Sequence, residues 1–213
     1  MIVSRFTCDI LGPVPVGEVE VKARLARAGR SVELLEATLR ADGRIAAVAR
    51  AWRVLRTTGP PVAARFAPAP ALPSLSRVTP HVKLPNGMAH GYLSAVEWRP
   101  VHGAFGEPGP ATVWARLRHP LVPDEQTGPL ERLLALADSA SGVSGELPLD
   151  RWQFINPELS VHLHREPVGE WVCLDAATAI STGGAGLATA VLSDREGPVG
   201  VSAQTLLVTP RRL

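Results

Sequence analysis

Only one stretch of this chain carries a helical repeat, and strand patterns flank it on both sides. Leu130, Leu133, Leu134 and Ala137 recur at the spacing of one helix face. Thr127-Gly128-Pro129 opens that stretch with a capping-type residue and a proline tolerated in the first turn, and Gly142 is a natural stop. Residues 93–101 and 112–118 read as strands before it, and 159–164, 171–180, 186–193 and 199–208 after it. Asp194-Arg195-Glu196-Gly197 should fold the last two into a hairpin. A lone helix has one apolar stripe to bury. A strongly curved antiparallel sheet wrapped around it satisfies this order of elements.

The front of the chain has the same strand grammar and no helix. Val19, Val21, Ala23 and Leu25 alternate with Glu20, Lys22, Arg24 and Ala26, the two-residue period of a half-buried strand. Ala28-Gly29-Arg30 turns the chain into a second strand at 32–39. Asp42-Gly43, the strongest local turn signal, then joins it to 45–55 as an antiparallel hairpin. Alanines and arginines would also allow a helix at 45–56. The turn chemistry and the face made by Val48, Trp52 and Val54 favour the strand.

Between the two parts, 57–85 holds Pro60, Pro61, Pro68, Pro70, Pro73, Pro80 and Pro85 with no sustained period. Such a stretch cannot pair inside a central sheet, so it is read as an extended surface connector covering Phe66 and Leu72. The expected organisation is an N-terminal unit at 1–56, a proline-rich linker at 57–90 and a C-terminal unit at 91–213.

Composition narrows the function classes. With 46% hydrophobic and 20% charged residues the chain can bury a core, which argues against disorder. A net charge of +2, carried almost wholly by scattered arginines, gives no phosphate-binding surface, so no nucleic-acid partner is expected. No apolar run approaches a membrane span, and the first residues lack the pattern of a secretory signal. A cytoplasmic protein without a membrane partner is expected. Cys8 and Cys173 form no CxxC pair and sit in apolar runs, which suits reduced, packed thiols. His162 and His164 share a strand face, but no further ligand stands at a zinc-like spacing, so no metal is expected. No nucleophile elbow occurs, and Ser181-Thr182-Gly183-Gly184 follows no phosphate-loop pattern.

Three polar residues stand out. Asp138 falls beside the apolar stripe near the helix end, where the dipole disfavours a carboxylate; otherwise it is an ordinary surface acid. Gln204 shares a strand face with Gly200, Ser202, Leu206 and Val208, as a positioned amide or as a satisfied polar residue of a sheet edge. Asn156 precedes Pro157, where asparagine commonly serves only as a turn residue.

The stretch Ala137-Asp138-Ser139-Ala140-Ser141-Gly142, the run from Phe154-Ile155-Asn156-Pro157 to Glu170-Trp171, Gly184-Ala185-Gly186, and Asp194-Arg195-Glu196-Gly197 with Ala203-Gln204-Thr205 together resemble the acyl-CoA thioesterase II (TesB-like) family. Arg5-Phe6-Thr7-Cys8-Asp9-Ile10 and Ala28-Gly29-Arg30-Ser31-Val32 resemble its N-terminal part. The resemblance implies an α+β double hotdog, hydrolysis of acyl-CoA to free acid and CoA, and a role in fatty acid metabolism. It places the catalytic aspartate on Asp138, the glutamine on Gln204 and the polar partner, a threonine in the best-known members, on Asn156. Asp138 would act as general base towards a water, or attack the carbonyl itself, with Gln204 and Asn156 holding the water. Ser181 and Thr182 are candidate substrate-binding residues of the same pocket. No cofactor is required, surface arginines could meet the CoA phosphates, and a homo-oligomer is expected.

Two other classes share the fold. One is a catalytically silent hotdog that binds acyl-CoA or assembles with a partner. The other is an enoyl-CoA hydratase or dehydratase, disfavoured because no histidine sits where an acid/base partner for the helix carboxylate is expected. Two complete hotdog units need on the order of 250 residues. The first unit is therefore expected to lack its opening strand and central helix. Either the true start lies upstream of Met1 or another subunit covers the open face.

Overall fold

The computed structural model describes residues 1–59, 66–74 and 91–211. Its strands are β1 (Ile2–Ile10), β2 (Glu20–Arg27), β3 (Val32–Ala41), β4 (Arg44–Val54), β5 (Val96–His102), β6 (Ala111–Leu117), β7 (Trp152–Ile155), β8 (Glu158–Leu163), β9 (Val172–Ile180), β10 (Ala185–Asp194) and β11 (Gly197–Pro210). They form one sheet in the order β2-β3-β4-β1-β8-β11-β10-β9-β6-β5, with β7 paired to β11. All pairings are antiparallel. A 3₁₀ turn at Gly91–Ala95 precedes β5, and two helices, α1 (Pro129–Ala137) and α2 (Ala140–Val143), follow β6.

The order of strands is symmetric about the central β1–β8 pair. Outward from it run β4, β3 and β2 on one side and β11, β10 and β9 on the other. The C-terminal side then adds β6 and β5, and α1 packs on its inward face. Among the described residues, no helix covers the N-terminal quartet.

Binary patterning explains both halves. In the N-terminal quartet, Leu25, Leu35, Ala51 and Phe6 form one cross-strand row, and Ala23, Ala37, Ala49 and Cys8 form the next. The opposite face carries Arg24, Glu36, Arg50 and Thr7. The apolar rows run on into Val161 and Leu159 of β8, which are buried. Asp42 and Gly43 both take positive φ, 49° and 73°, the two-residue loop that matches the twist of paired strands. The strand expected at 45–55 forms; the helix does not.

In the C-terminal half, Leu163, Gly200, Leu192, Leu174 and Val113 make a row across β8, β11, β10, β9 and β6. Leu133, Leu136 and Ala137 of α1 pack in the same cluster and are 0% exposed. Glycine is required at position 200, where a Cβ would lie 1.9 Å from the carbonyl oxygen of His162.

Several local expectations need correction. Residues 93–95 belong to the 3₁₀ turn, so β5 starts only at Val96. Gly128, not Thr127, is the N-cap of α1, and the Thr127 hydroxyl accepts the Leu121 N–H instead. Gly142 does not stop the helix. α1 already ends at Ala137, and Gly142 lies inside α2 against Phe105, whose ring leaves no room for a Cβ. Strand β7 has no counterpart in the sequence reading.

Residues 60–65 and 75–90 of the expected connector lie outside the described residues. Residues 66–74 form neither helix nor strand. Trp114 Nε1 donates to the Pro70 carbonyl at 3.1 Å, and Ala69 and Leu72 cover Trp114, Trp171 and Cys173. Phe66 stacks with His164 at 5.9 Å. Among the described residues, no helix is long and apolar enough to cross a membrane.

Candidate active site

The end of α1 is where the three singled-out residues meet. Asp138 is the C-cap of that helix, and the last helical carbonyls need partners there. Side chains supply them. Tyr92 Oη donates to the Ala135 carbonyl at 2.8 Å, and Gln204 Nε2 donates to the Asp138 carbonyl at 2.9 Å. The same Gln204 Nε2 reaches Asp138 Oδ1 at 3.1 Å, and Asn156 Nδ2 donates to that oxygen at 2.7 Å. β11 therefore delivers Gln204 from below, and the loop between β7 and β8 delivers Asn156 from the side.

Gln204 is 0% exposed, so every polar atom on it must be paired. Its Oε1 accepts the Ser141 backbone N–H at 3.1 Å, which fixes the amide with Nε2 towards Asp138. Both Nε2 hydrogens then go to Asp138, one to its carbonyl and one to its carboxylate. In this arrangement Gln204 holds the backbone and side chain of Asp138 together. Asn156 spends a single hydrogen on Asp138. Both amides land on Oδ1, so among the described residues Oδ2 has no protein donor.

Asp138 is exposed and borders a cavity of about 360 Å³ shared with Tyr92, Leu93, Phe105, Phe154 and Arg211. Burial pushes the Tyr92 phenol up to about 12, and the Asp138 carboxylate adds to the rise. The phenol stays protonated at neutral pH and donates to Ala135, so the Ser139 hydroxyl donates to Tyr92 Oη, 2.9 Å away. Burial also raises the Cys8 thiol, helped by the Asp138 and Asp9 carboxylates. Cys173, buried under the connector, is pushed up to about 12 by burial and by Asp175.

Ser181 and Thr182 are not brought to the Asp138 cavity. They sit in the turn between β9 and β10 and line a second cavity. Tyr92, Ser139 and Arg211 line the same cavity as Asp138 and were missed in the sequence. Tyr92 carried one signal, being the sole tyrosine of the chain. His102, His119, His162 and His164 do not line the Asp138 cavity.

A sheet that buries one helix on its inward face, with a carboxylate at that helix's end, belongs to the hotdog class of folds. Solved structures agree. The acyl-CoA thioesterase II TesB2 of Mycobacterium marinum aligns with a TM-score of 0.70 at 19% identity, covering 98% of this chain and 81% of its own. A hot dog fold protein of unknown function from Alicyclobacillus acidocaldarius gives 0.74 at 17% identity, covering 99% and 79%. The tesB protein of Mycobacterium avium subs paratuberculosis gives 0.67 at 19% identity, covering 98% and 79%. No curated protein matches the chain in sequence. Models of the acyl-CoA thioesterase N-terminal domain and C-terminal domain match residues 2–54 and 61–208. The chain belongs to the acyl-CoA thioesterase family.

Proposed function

We propose that the protein hydrolyses an acyl-CoA thioester to a free acid and CoA, with Asp138 as the catalytic base. The observation that carries this reading is the convergence of Gln204 and Asn156 on one carboxylate oxygen of Asp138, which leaves the other oxygen towards an open cavity.

The chemistry follows from these groups. Asp138 Oδ2 takes a proton from a water, whose oxygen adds to the thioester carbonyl carbon. Collapse of the tetrahedral intermediate breaks the C–S bond, and the proton passes from Asp138 to the departing thiolate. Gln204 and Asn156 fix the carboxylate in one rotamer, so little ordering is left to the reaction itself. Asn156 keeps one amide hydrogen and its carbonyl oxygen available for the water. Arg211, at the cavity edge, supplies positive charge on the side from which an anionic CoA would approach.

Thiol release from a panel of short, medium and long acyl-CoAs tests this reading. Release of CoA with the matching free acid supports it. No release from any member, with binding seen by thermal stabilisation, would make the protein a silent acyl-CoA binder. Water addition to an enoyl-CoA would point to a hydratase. The exposed edge strand β2 and the half-buried apolar rows beside it support a dimer or larger assembly, and a monomeric mass by light scattering would contradict that.

A further inference from the structure

Just after Asp138 comes α2, a single turn of helix, and a single turn is not stable on its own in water. It must be fixed from outside. Phe105 packs against Gly142, and Val143 is buried in the main core. Two polar contacts then tie the turn to the sheet. Near its start, the Ser141 N–H donates to Gln204 Oε1 at 3.1 Å. At its end, Ser144 donates its hydroxyl to the Ala140 carbonyl at 2.8 Å and lies 2.8 Å from Thr178 Oγ1. Ser144 has one hydroxyl hydrogen and spends it on Ala140, so Thr178 donates to Ser144. Both residues are buried, at 0% and 7% exposure, which shields the pair from solvent.

Register makes the two ties one device. Thr178 of β9, Ala188 of β10 and Gln204 of β11 form a single cross-strand row. Two strand spacings, about 10 Å, separate its ends. α2 is pinned to both of them, at Ser144 and at Ser141. The second pin matters to the site because an N–H can be met only by the oxygen of the Gln204 amide. With Oε1 taken by Ser141, Nε2 faces the carbonyl and carboxylate of Asp138. A displaced Ser141 N–H frees that amide to turn, and its oxygen would then oppose the carboxylate. We propose that Ser144 and Thr178 are positioning residues of the site. Their hydroxyl pair sets α2, α2 sets the Gln204 amide, and Gln204 sets Asp138. Neither lines the Asp138 cavity, so both act through other residues. The expected effect on rate rests on the thioesterase reading; the arrangement itself does not.

The first test separates the hydroxyl from its packing. Thr178→Val keeps the side chain's shape and removes the hydroxyl, whereas Thr178→Ser keeps the hydroxyl and removes a methyl group. On the wild type's preferred acyl-CoA, Thr178→Val and Ser144→Ala should each lower kcat about tenfold with KM moved less than about threefold, since misplacing a catalytic group slows the chemical step. Thr178→Ser should stay within about threefold of wild type. Ser144→Ala placed in a Gln204→Met background should cost nothing further, because residues acting as a unit are not additive. A full second loss in that background, or a Thr178→Ser variant slower than Thr178→Val, is the behaviour of packing alone and would overturn the proposal. Wild-type rates in both Thr178→Val and Ser144→Ala would do the same.

The second test needs no turnover. In isotope-labelled protein, the side-chain amide of Gln204, assigned in the NMR spectrum by its absence from Gln204→Met, should show two separate hydrogen signals that exchange slowly with solvent. Ser144→Ala should speed that exchange by at least about tenfold while the backbone amides of β10 keep their protection. Gln204 exchange unchanged in Ser144→Ala would overturn the proposal. A protein that shows the exchange contrast but releases no CoA retains the positioning assignment and loses the thioesterase reading. A protein that hydrolyses acyl-CoA but shows no contrast loses the positioning assignment alone.

Discussion

The two halves of the sheet have the same strand order about the β1–β8 seam and very different surroundings. On the C-terminal side, α1 lays Leu133 and Leu136 on the row from Leu163 to Val113, and all five sheet positions are buried. On the N-terminal side, the row Leu25, Leu35, Ala51 and Phe6 is half-buried or exposed. The difference teaches that, among the described residues, strand pairing builds the quartet, whereas helix burial builds the core and, at the helix end, the candidate site. Small residues in the quartet, Ala23, Ala37, Ala49 and Ala51, keep the open apolar face modest in area.

The largest test of that contrast is a matched pair of truncations. Leu136→Ala removes a 0% exposed side chain and should cost about 2–5 kcal/mol, since the void cannot collapse around the helix. Leu35→Ala, in the uncovered row, should cost less than about 1 kcal/mol. Denaturant melts of both variants check this. Equal losses would mean that the quartet has a covered core of its own.

Charge pairs sharpen the same comparison. Asp194, with 1% side-chain exposure, takes two bonds of 2.6 Å from Arg165 and the N–H groups of Val168 and Glu196. Burial alone would raise its carboxyl, but the guanidinium and the two amides hold it below the usual range. A depressed carboxylate stabilises the fold above its unfolded value of about 3.9 and loses that contribution as pH falls through the folded value. Asp194→Asn should cost about 3 kcal/mol at neutral pH and flatten the acid limb of the stability curve below about pH 4. In the quartet, Glu36 meets Arg24 and Arg50 at 2.5 and 3.0 Å, but those arginines are 67% and 60% exposed. Glu36→Gln should leave the melting temperature nearly unmoved. Thermal melts from acid to neutral pH check both.

The smallest effect is expected at Ser202. Its hydroxyl is buried with no partner among the described residues, in the row with Val161 and Ala190. Ser202→Ala should be neutral or slightly stabilising, by up to about 1 kcal/mol, and a clear loss would reveal a hidden polar contact.

Much of this contrast was legible in the residues. Alternation at 19–26, the Asp42-Gly43 loop and the apolar repeat of 130–137 each depend on local pattern, and each forms the expected element, although β2 leaves Val21 and Leu25 exposed where a half-buried strand was expected. Asp138 was conspicuous because a carboxylate at a helix C-terminus opposes the dipole. What stayed hidden depends on contacts far apart in the chain. Tyr92 reaches α1 across 43 residues, and no local period announces that. Gly142 reads as a helix stop, yet α1 ends earlier, where Tyr92 and Gln204 take the carbonyls of Ala135 and Asp138, and Gly142 lies within α2 against Phe105. β7 is four residues long and is held by pairing with β11 rather than by its own alternation. Ser181 and Thr182 could not be assigned to a cavity from sequence, since the one they line is assembled from distant segments that include Leu147, Trp152 and Val208.

The central claim is that the carboxylate held by Gln204 and Asn156 performs the hydrolysis. It is tested most directly by Asp138→Asn, which keeps the side chain's shape and removes its proton-accepting charge. With CoA release followed on the wild type's preferred acyl-CoA, kcat/KM should fall by at least about 100-fold while the melting temperature stays near that of the parent. A rate within about threefold of wild type, in a variant folded just as well, would contradict the assignment, because general-base catalysis of this kind is worth far more.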